Sequence, residues 1–260
     1  MSDTDCTSVL RTRGLRKEYG RDAGLVRAVD GVDLDVAAGE TLAVMGPSGC
    51  GKSTLLHLLG GLDRPTAGEI WLAGQRVDQL TERALARLRR DAVGFVFQAF
   101  HLMDELTAVE NVELPALLAG RSPRAARRRA AGLLEQVGLA DRAAFLPSAL
   151  SGGQRQRVAI ARALALRPEV VVCDEAVSAL DVLVQAQILD LLAELQAELG
   201  LTYLFISHDL AVIRQIADEV MVMRAGRVVE HAATEDVFAR PQHEYTQQLL
   251  AAIPGYADKP

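Results

Sequence analysis

The sequence predicts an α/β fold with a parallel sheet, and two observations carry that expectation. The first is a set of short, largely apolar runs: Thr41–Met45, Val93–Phe97, Val170–Cys173 and Thr202–Ser207. Runs of this length and character suit strands that are covered on both faces. The second is residues 46–54, Gly-Pro-Ser-Gly-Cys-Gly-Lys-Ser-Thr. They fit the phosphate-binding pattern G-x-x-x-x-G-K-[ST] at Gly46, Gly51, Lys52 and Ser53. The context fits as well, because the apolar run 41–45 precedes the loop. Leu55, Leu56, Leu58 and Leu59 follow it at helical spacing. A strand, a glycine loop and a helix N-terminus together form an anion site, with main-chain N–H groups turned inward and the helix dipole favouring negative charge. Lys52 is placed to reach β- and γ-phosphates, and the Ser53 hydroxyl to ligate Mg²⁺. The expected class is α/β, a P-loop NTPase.

Composition sets outer bounds. With 260 residues, half of them hydrophobic, the chain can bury a sizeable core. Lys plus Arg is 28 against 34 for Asp plus Glu, a net charge of −6, which is no footprint for nucleic acid. Three cysteines, Cys6, Cys50 and Cys173, imply no disulfide framework and suit a reducing, cytosolic compartment. The first six residues lack the basic and apolar regions of a signal peptide. No stretch approaches the roughly 18 apolar residues of a membrane span. A membrane role is therefore expected to run through a partner.

Taken in order, residues 9–45 read as short strands with turns at Gly20, Gly24 and Ala38-Gly39. Tyr19, ahead of the first turn, is open to two readings: a core aromatic, or an exposed ring that stacks on an adenine. Leu62–Gly68 is turn-rich, and Glu69–Ala73 reads as a strand with Trp71 in the core. Residues 82–90 are helical with a basic exposed side. Val93–Phe97 ends at Gln98, which is either an ordinary hydrophilic stop or a side chain that reaches Mg²⁺ or an attacking water. Residues 99–147 change character, with helices expected at 107–119 and 123–137, and they read as a helical insertion in the α/β body. Arg121–Arg129 carries five arginines. Such a run is most simply a solvated helix face, with anionic lipid headgroups as the rival reading.

Leu150-Ser151-Gly152-Gly153-Gln154 then leads into a helix with apolar residues at 158, 160, 161, 164 and 165. Ser-Gly-Gly before a helix is a second anion cradle or a plain cap. Val170–Cys173 delivers Asp174 and Glu175 at the end of a strand, the edge where ligands bind in parallel sheets. Asp174 is placed to hold a Mg²⁺ shell and Glu175 to polarise a water. Ser178–Asp181 forms a turn, a long helix spans about 182–199, and Thr202–Ser207 ends at His208, a candidate γ-phosphate contact. Residues 219–230 read as a hairpin around Ala225-Gly226, and the remainder to Pro254 as mainly helical.

In combination these pieces resemble the ATP-binding cassette (ABC) family over roughly 10–254. Gly46, Pro47, Ser48, Gly49, Cys50, Gly51, Lys52, Ser53 and Thr54 match its Walker A loop, and Gln98 its Q-loop. Leu150–Gln154 match the signature LSGGQ, Val170–Asp174 with Glu175 match Walker B and the catalytic glutamate, Asp181 lies in the D-loop, and His208 matches the switch histidine. Tyr19 matches the adenine-stacking aromatic, which decides its reading. The resemblance implies an ABC ATPase with a RecA-like core, an antiparallel β-subdomain and a helical insertion at about 99–165, in a single domain over 1–260. It implies ATP and Mg²⁺ as ligands, with Ser53, Gln98 and Asp174 around the metal. It also implies a head-to-tail dimer of cassettes, in which Ser151, Gly152, Gly153 and Gln154 meet the ATP of the other subunit. Glu175 is then the general base and His208 the γ-phosphate contact. Ala176 departs from the pattern where many members have proline. Cys50, inside the loop, is expected to make the ATPase sensitive to bulky thiol reagents.

Subfamily features divide. Residues 90–119 look like lipoprotein-releasing and macrolide-export cassettes, and residues 174–254 like dipeptide, oligopeptide and nickel importer cassettes. The change falls near 165–170. The C-terminal match is the longer, so the reading leans to peptide import, with lipoprotein release or macrolide export as the alternative. A soluble ABC ATPase of DNA repair or translation is the rival of another class, disfavoured by the single cassette and the negative charge. Expected partners are a second cassette and integral membrane permease subunits, on the cytoplasmic side of the cell membrane. No direct nucleic acid and no iron–sulfur cluster are expected.

Overall fold

The structure is a computed structural model that describes residues 8–20 and 22–252. Residues 1–7 with Cys6, residue 21, and residues 253–260 with Pro254 lie outside the described residues. In chain order the strands are β1 (Ser8–Tyr19), β2 (Val26–Ala37), β3 (Thr41–Met45), β4 (Ala67–Leu72), β5 (Gln75–Arg76), β6 (Val93–Phe97), β7 (Val170–Asp174), β8 (Thr202–Ile206), β9 (Glu219–Arg224) and β10 (Arg227–Ala233). The helices are α1 (Lys52–Leu59), α2 (Glu82–Ala92), α3 (Ala108–Leu118), α4 (Pro123–Gln136), α5 (Gly152–Ala163), α6 (Val182–Leu199), α7 (Leu210–Ile216), α8 (Thr234–Ala239) and α9 (Glu244–Ala251). They group into two compact units, one comprising Thr81–Thr202 and the other the described residues on either side of it.

In the flanking unit, β2, β1, β4 and β5 form an antiparallel sheet in that order. Its alternating pattern is the cause. Along β2, Val32, Leu34 and Val36 are buried while Asp33 and Asp35 face solvent, so one face joins the core. The expected short strands prove to be two twelve-residue strands. Register shifts in the β1–β2 ladder let them run on past Gly14, whose φ is 56°. Trp71 is only half-buried, with Arg76 over its ring at 5.5 Å, because it points away from the face that buries Ile70 and Leu72. The expectation of a core tryptophan is corrected accordingly.

The same unit holds β3 between β8 and β9, parallel to both, with β10 antiparallel on the outside of β9. Every residue of β3 and β8 is buried, which explains their unbroken apolar character. Helix α1 buries Leu55, Leu56, Leu58 and Leu59.

The unit Thr81–Thr202 is built on the parallel pair β6–β7, in register from Val93↔Val170 to Phe97↔Asp174. Helices α3 and α4 pack on each other and on α5, and α5 packs on α6. Start signals set these helices. Thr107 and Glu110 make a capping box for α3, Ser122 and Pro123 open α4, and Asp181 caps α6, which ends at Gly200 with φ 64°. Among the described residues no helix is long and apolar enough to cross a membrane.

One polar residue locks the start of this helical layer. Asn111 is wholly buried. Its Nδ2 donates to the carbonyls of Met103 (3.1 Å), Leu106 (2.9 Å) and Thr107 (3.1 Å), and its Oδ1 accepts from the Met103 N–H at 2.8 Å. We predict that Asn111→Ala lowers unfolding free energy by about 2–4 kcal/mol, because it strands several buried main-chain groups. Urea unfolding of the purified variant measures this, and a loss below about 0.5 kcal/mol would contradict the assigned role.

Candidate functional site

The loop 46–51 joins β3 to α1 through three left-handed glycines, Gly46 (φ 149°), Gly49 (76°) and Gly51 (107°). Two of them are needed twice over. A Cβ on Gly46 would lie 2.2 Å from the Met223 carbonyl oxygen, and one on Gly51 would lie 1.9 Å from that of Ala28. Gly226 N–H donates to the Cys50 carbonyl at 2.9 Å, and Asp30 N–H to the Gly226 carbonyl at 2.8 Å. The β9–β10 turn thus braces the loop from behind. Lys52 Nζ donates to the carbonyls of Gly46 (2.8 Å) and Pro47 (3.0 Å). Its charge is held directly over the loop by acceptors that are only partial charges. Ser48 and Ser53 are exposed, and Thr54 is half-buried at the first turn of α1.

Tyr19 stands beside this loop. The ring is 45% exposed, which excludes the core reading. Its hydroxyl donates to Asp63 Oδ2 at 3.0 Å, and Lys17 Nζ lies 5.1 Å from the ring centre while bonding the other Asp63 oxygen at 2.7 Å. Burial would raise the Asp63 carboxyl, but these bonds and the Arg64 N–H hold it below the usual range. Burial raises the Tyr19 hydroxyl, and the Asp63 bond adds to this against an opposing bond with Thr54. Tyr19 and the end of the phosphate loop are therefore neighbours. His208 follows β8 as an exposed residue between two fixed ones, for Asp209 N–H donates to Ser207 Oγ at 3.0 Å and the Asp209 carboxylate caps α7.

In the unit Thr81–Thr202, Gln98 and the carboxylates come to the same end of the β6–β7 pair. Phe97 is in register with Asp174, so Gln98 and Glu175 each follow directly. Glu175 has φ 51°, a left-handed conformation uncommon outside glycine. Its carbonyl accepts from both the N–H and the hydroxyl of Ser178, at 3.1 and 2.9 Å. Ser151 caps α5 in a box, with its hydroxyl accepting from Gln154 N–H at 3.3 Å and Gln154 Oε1 accepting from Ser151 N–H at 2.9 Å. Gly153 permits α5 to meet α6, since a Cβ there would lie 2.6 Å from Val184 Cγ1. A Cβ on Gly152 would meet only the Leu180 side chain, at an ordinary 3.5 Å. Asp181 caps α6 through Val184 N–H at 3.0 Å. Tyr19, residues 46–54 and His208 thus belong to one unit, and Gln98, 151–154, Asp174, Glu175 and Asp181 to the other.

The profile described as "ABC transporter" matches residues 29–178, more than half of the chain. The chain belongs to the ABC transporter family. The cassette is an ATPase domain of the P-loop NTPase fold. It is 38% identical, with TM-score 0.78, to the ATP-binding cassette MJ0796 in a dimeric post-hydrolysis state bound to ADP and Pi, covering 86% of this chain and 98% of that one. It is also similar to two methionine import ATP-binding proteins (MetN) of Rhodopseudomonas palustris. The one from strain BisA53 is 45% identical over 251 residues, and the one from strain BisB5 49% over 230. These alignments cover 96% and 88% of the cassette, and the cassette spans 67% and 62% of those relatives' lengths.

Two residues of the cassette that the motifs do not name support the site. Gln156 is wholly buried and donates to the Ala176 carbonyl, tying α5 to the turn after Glu175. Its position, four and eight residues before Ile160 and Leu164, places a polar side chain on the buried stripe of the helix, which is the signal that could have found it. Arg162 donates to the carbonyls of Phe100 and His101, and so holds the segment after Gln98. Nothing local marked it.

Cys50 corrects the expectation of ready thiol modification. It is 4% exposed. Burial pushes its thiol up, only partly offset by the Lys52 charge. Because the folded thiol lies above its ordinary value, the thiolate is scarce at neutral pH and grows only as pH passes the free-cysteine range. In a protein carrying Cys6→Ser and Cys173→Ala, reaction of Cys50 with dithiobis(nitrobenzoate) at pH 8 should be at least ~10-fold slower folded than in urea, and should rise with pH. Equal rates would place the thiol in solvent.

Proposed function

We propose that the cassette hydrolyses ATP between two copies facing head to tail, and that closure and release of this dimer drive solute import through membrane-spanning partners at the cytoplasmic face of the membrane. The observation that carries the reading is the loop 46–54: a left-handed glycine cradle opening onto α1, with Lys52 held over it. Such a cradle fits a polyphosphate, since Lys52 can exchange two carbonyl partners for phosphate oxygens.

The roles follow from chemistry. Main-chain N–H groups of 46–54 and the Lys52 ammonium bind the phosphates, and Tyr19 offers an exposed face to the base. Ser53, Gln98 and Asp174 are oxygen donors of the kind a hard cation takes, and we assign Mg²⁺ to them; when bound it would neutralise phosphate charge. Glu175, its main chain fixed by Ser178 and by Gln156 through Ala176, takes the proton of the attacking water. His208 stabilises the γ-phosphate oxygens. Ser151 and the N–H groups of Gly152, Gly153 and Gln154 complete the site of the other copy, with Asp181 setting the turn between them. Import is supported by the two MetN relatives, which are methionine import proteins. The cargo class we assign is an amino-acid-type solute, with methionine the first to test. Peptide import is a neighbouring reading.

The test is ATP-driven dimerisation of Glu175→Gln by size-exclusion chromatography. Losing the base should cut turnover by roughly 10²–10⁴-fold and trap a dimer in ATP. The shift should vanish with Ser151→Arg added. A variant that does not bind ATP at all would overturn the assignment of residues 46–54.

A further inference from the structure

Helices α3 and α4 and the turn after α5 line an open-mouthed cavity of about 280 Å³, apart from every residue assigned above. Its floor is small and apolar: Ala116, Ala125, Ala126 and Ala165, with Leu166. Its charged lining is three arginines, Arg121, Arg129 and Arg167. Four arginines of the run 121–129 are exposed, as a solvated helix face requires, and Arg129 is the half-buried exception. Arg127 points to Glu113 at 3.5 Å, whereas Arg121 and Arg129 turn to the cavity.

The cations there are poorly compensated. Arg129 donates one bond, from Nη2 to the Leu164 carbonyl at 3.0 Å, and its buried Nε has no partner. None of the three forms an ion pair among the described residues. Asp91 feels Arg121 at longer range. Burial lowers the Arg129 pKa, and the neighbouring Arg167 lowers it further, the mark of like charges facing each other. Arg167 is presented from a left-handed residue (φ 59°) whose N–H bonds the Leu164 carbonyl. Arg129 is half-buried with an unpartnered Nε while Arg121 and Arg167 are exposed beside it; a half-buried cation without an anion is costly, and a bound oxyanion relieves it.

We propose that this cavity is a binding site for a phosphate group, taken in the forks of Arg121, Arg129 and Arg167. Guanidinium forks match phosphate oxygens in pairs. The volume exceeds what one phosphate fills and lies just below the roughly 300–1000 Å³ of small-molecule pockets. The alanine and leucine floor suits a small organic group attached to that phosphate. The phosphate can arrive on a free small molecule or on a lipid headgroup. The inference goes beyond the transport reading and does not depend on it.

The test uses the full chain with Lys52→Ala, which silences the phosphate loop as a rival site. Pyrophosphate binding is followed by calorimetry, and capture by phosphatidylglycerol against phosphatidylcholine vesicles by sedimentation. Two further variants are compared: Arg129→Gln with Arg167→Gln, and Ala125→Leu, which fills the floor without removing charge and guards against misfolding of the first. Pyrophosphate binding that weakens at least ~10-fold in both variants supports a site for free phosphates. Capture by phosphatidylglycerol vesicles alone, lost in both variants, supports the site with a lipid as source. No response to either probe, or a response that both variants leave unchanged, overturns the proposal.

Discussion

The phosphate loop closes because two of its residues lack a side chain. Gly46 and Gly51 bring the main chain against the carbonyls of Met223 and Ala28, closer than any Cβ allows. Those carbonyls belong to β9 and β2, so the loop is shaped as much by the strands behind it as by its own residues. The turn at Gly226 completes the brace, accepting from Asp30 and donating to Cys50. A loop fixed in this way presents its N–H groups without reorganisation when an anion arrives, which is where electrostatic binding gains most. The same packing removes Cys50 from solvent although it lies in the middle of the loop.

Helix α5 has the corresponding role in the unit Thr81–Thr202. Its first turn holds the Ser151–Gln154 box, its second sends Gln156 to the Ala176 carbonyl, and its last holds the Phe100 and His101 carbonyls through Arg162. One rigid rod thereby connects the signature turn, the main chain beside Glu175 and the segment after Gln98. A displacement at the N-terminus of α5 cannot leave those two segments where they were.

Much of this was legible in the sequence because its causes are local. The apolar runs of β3, β7 and β8 and the helices that begin near 123 and 182 depend on near neighbours in the chain, and the glycines of 46–51 are legible as a motif although distant carbonyls require two of them. What escaped depends on distant ones. The turns bounding β1 and β2 were legible, but not the ladder that carries each strand through its register shifts for twelve residues. Trp71 lies on the outer face because Ile70 and Leu72 take the inner one, a choice of side that an aromatic does not announce. Arg129 leaves the otherwise exposed face of the arginine run because the turn after α5 offers it the Leu164 carbonyl, thirty-five positions on. Arg162 has no local mark, since its acceptors lie some sixty positions earlier in the chain.

The capping of Ser151 bears on whether the second cradle can act in binding at all. As a plain cap it would be spent, its hydroxyl committed to its own helix. The geometry divides the hydroxyl's functions instead. Ser151 Oγ accepts from Gln154 N–H at 3.3 Å, which uses a lone pair and leaves the hydroxyl proton to donate elsewhere. Gln154 Oε1 takes the Ser151 N–H, so the cap also fixes the direction of the turn. The N–H groups of Gly152 and Gly153 lie in the first turn of α5, where helices have no internal acceptors for them. An oxyanion meeting this turn would find a hydroxyl proton and unspent N–H groups held by a cap that need not break. Capping and contact are therefore compatible at Ser151, and the stability of the helix is what keeps the cradle in shape.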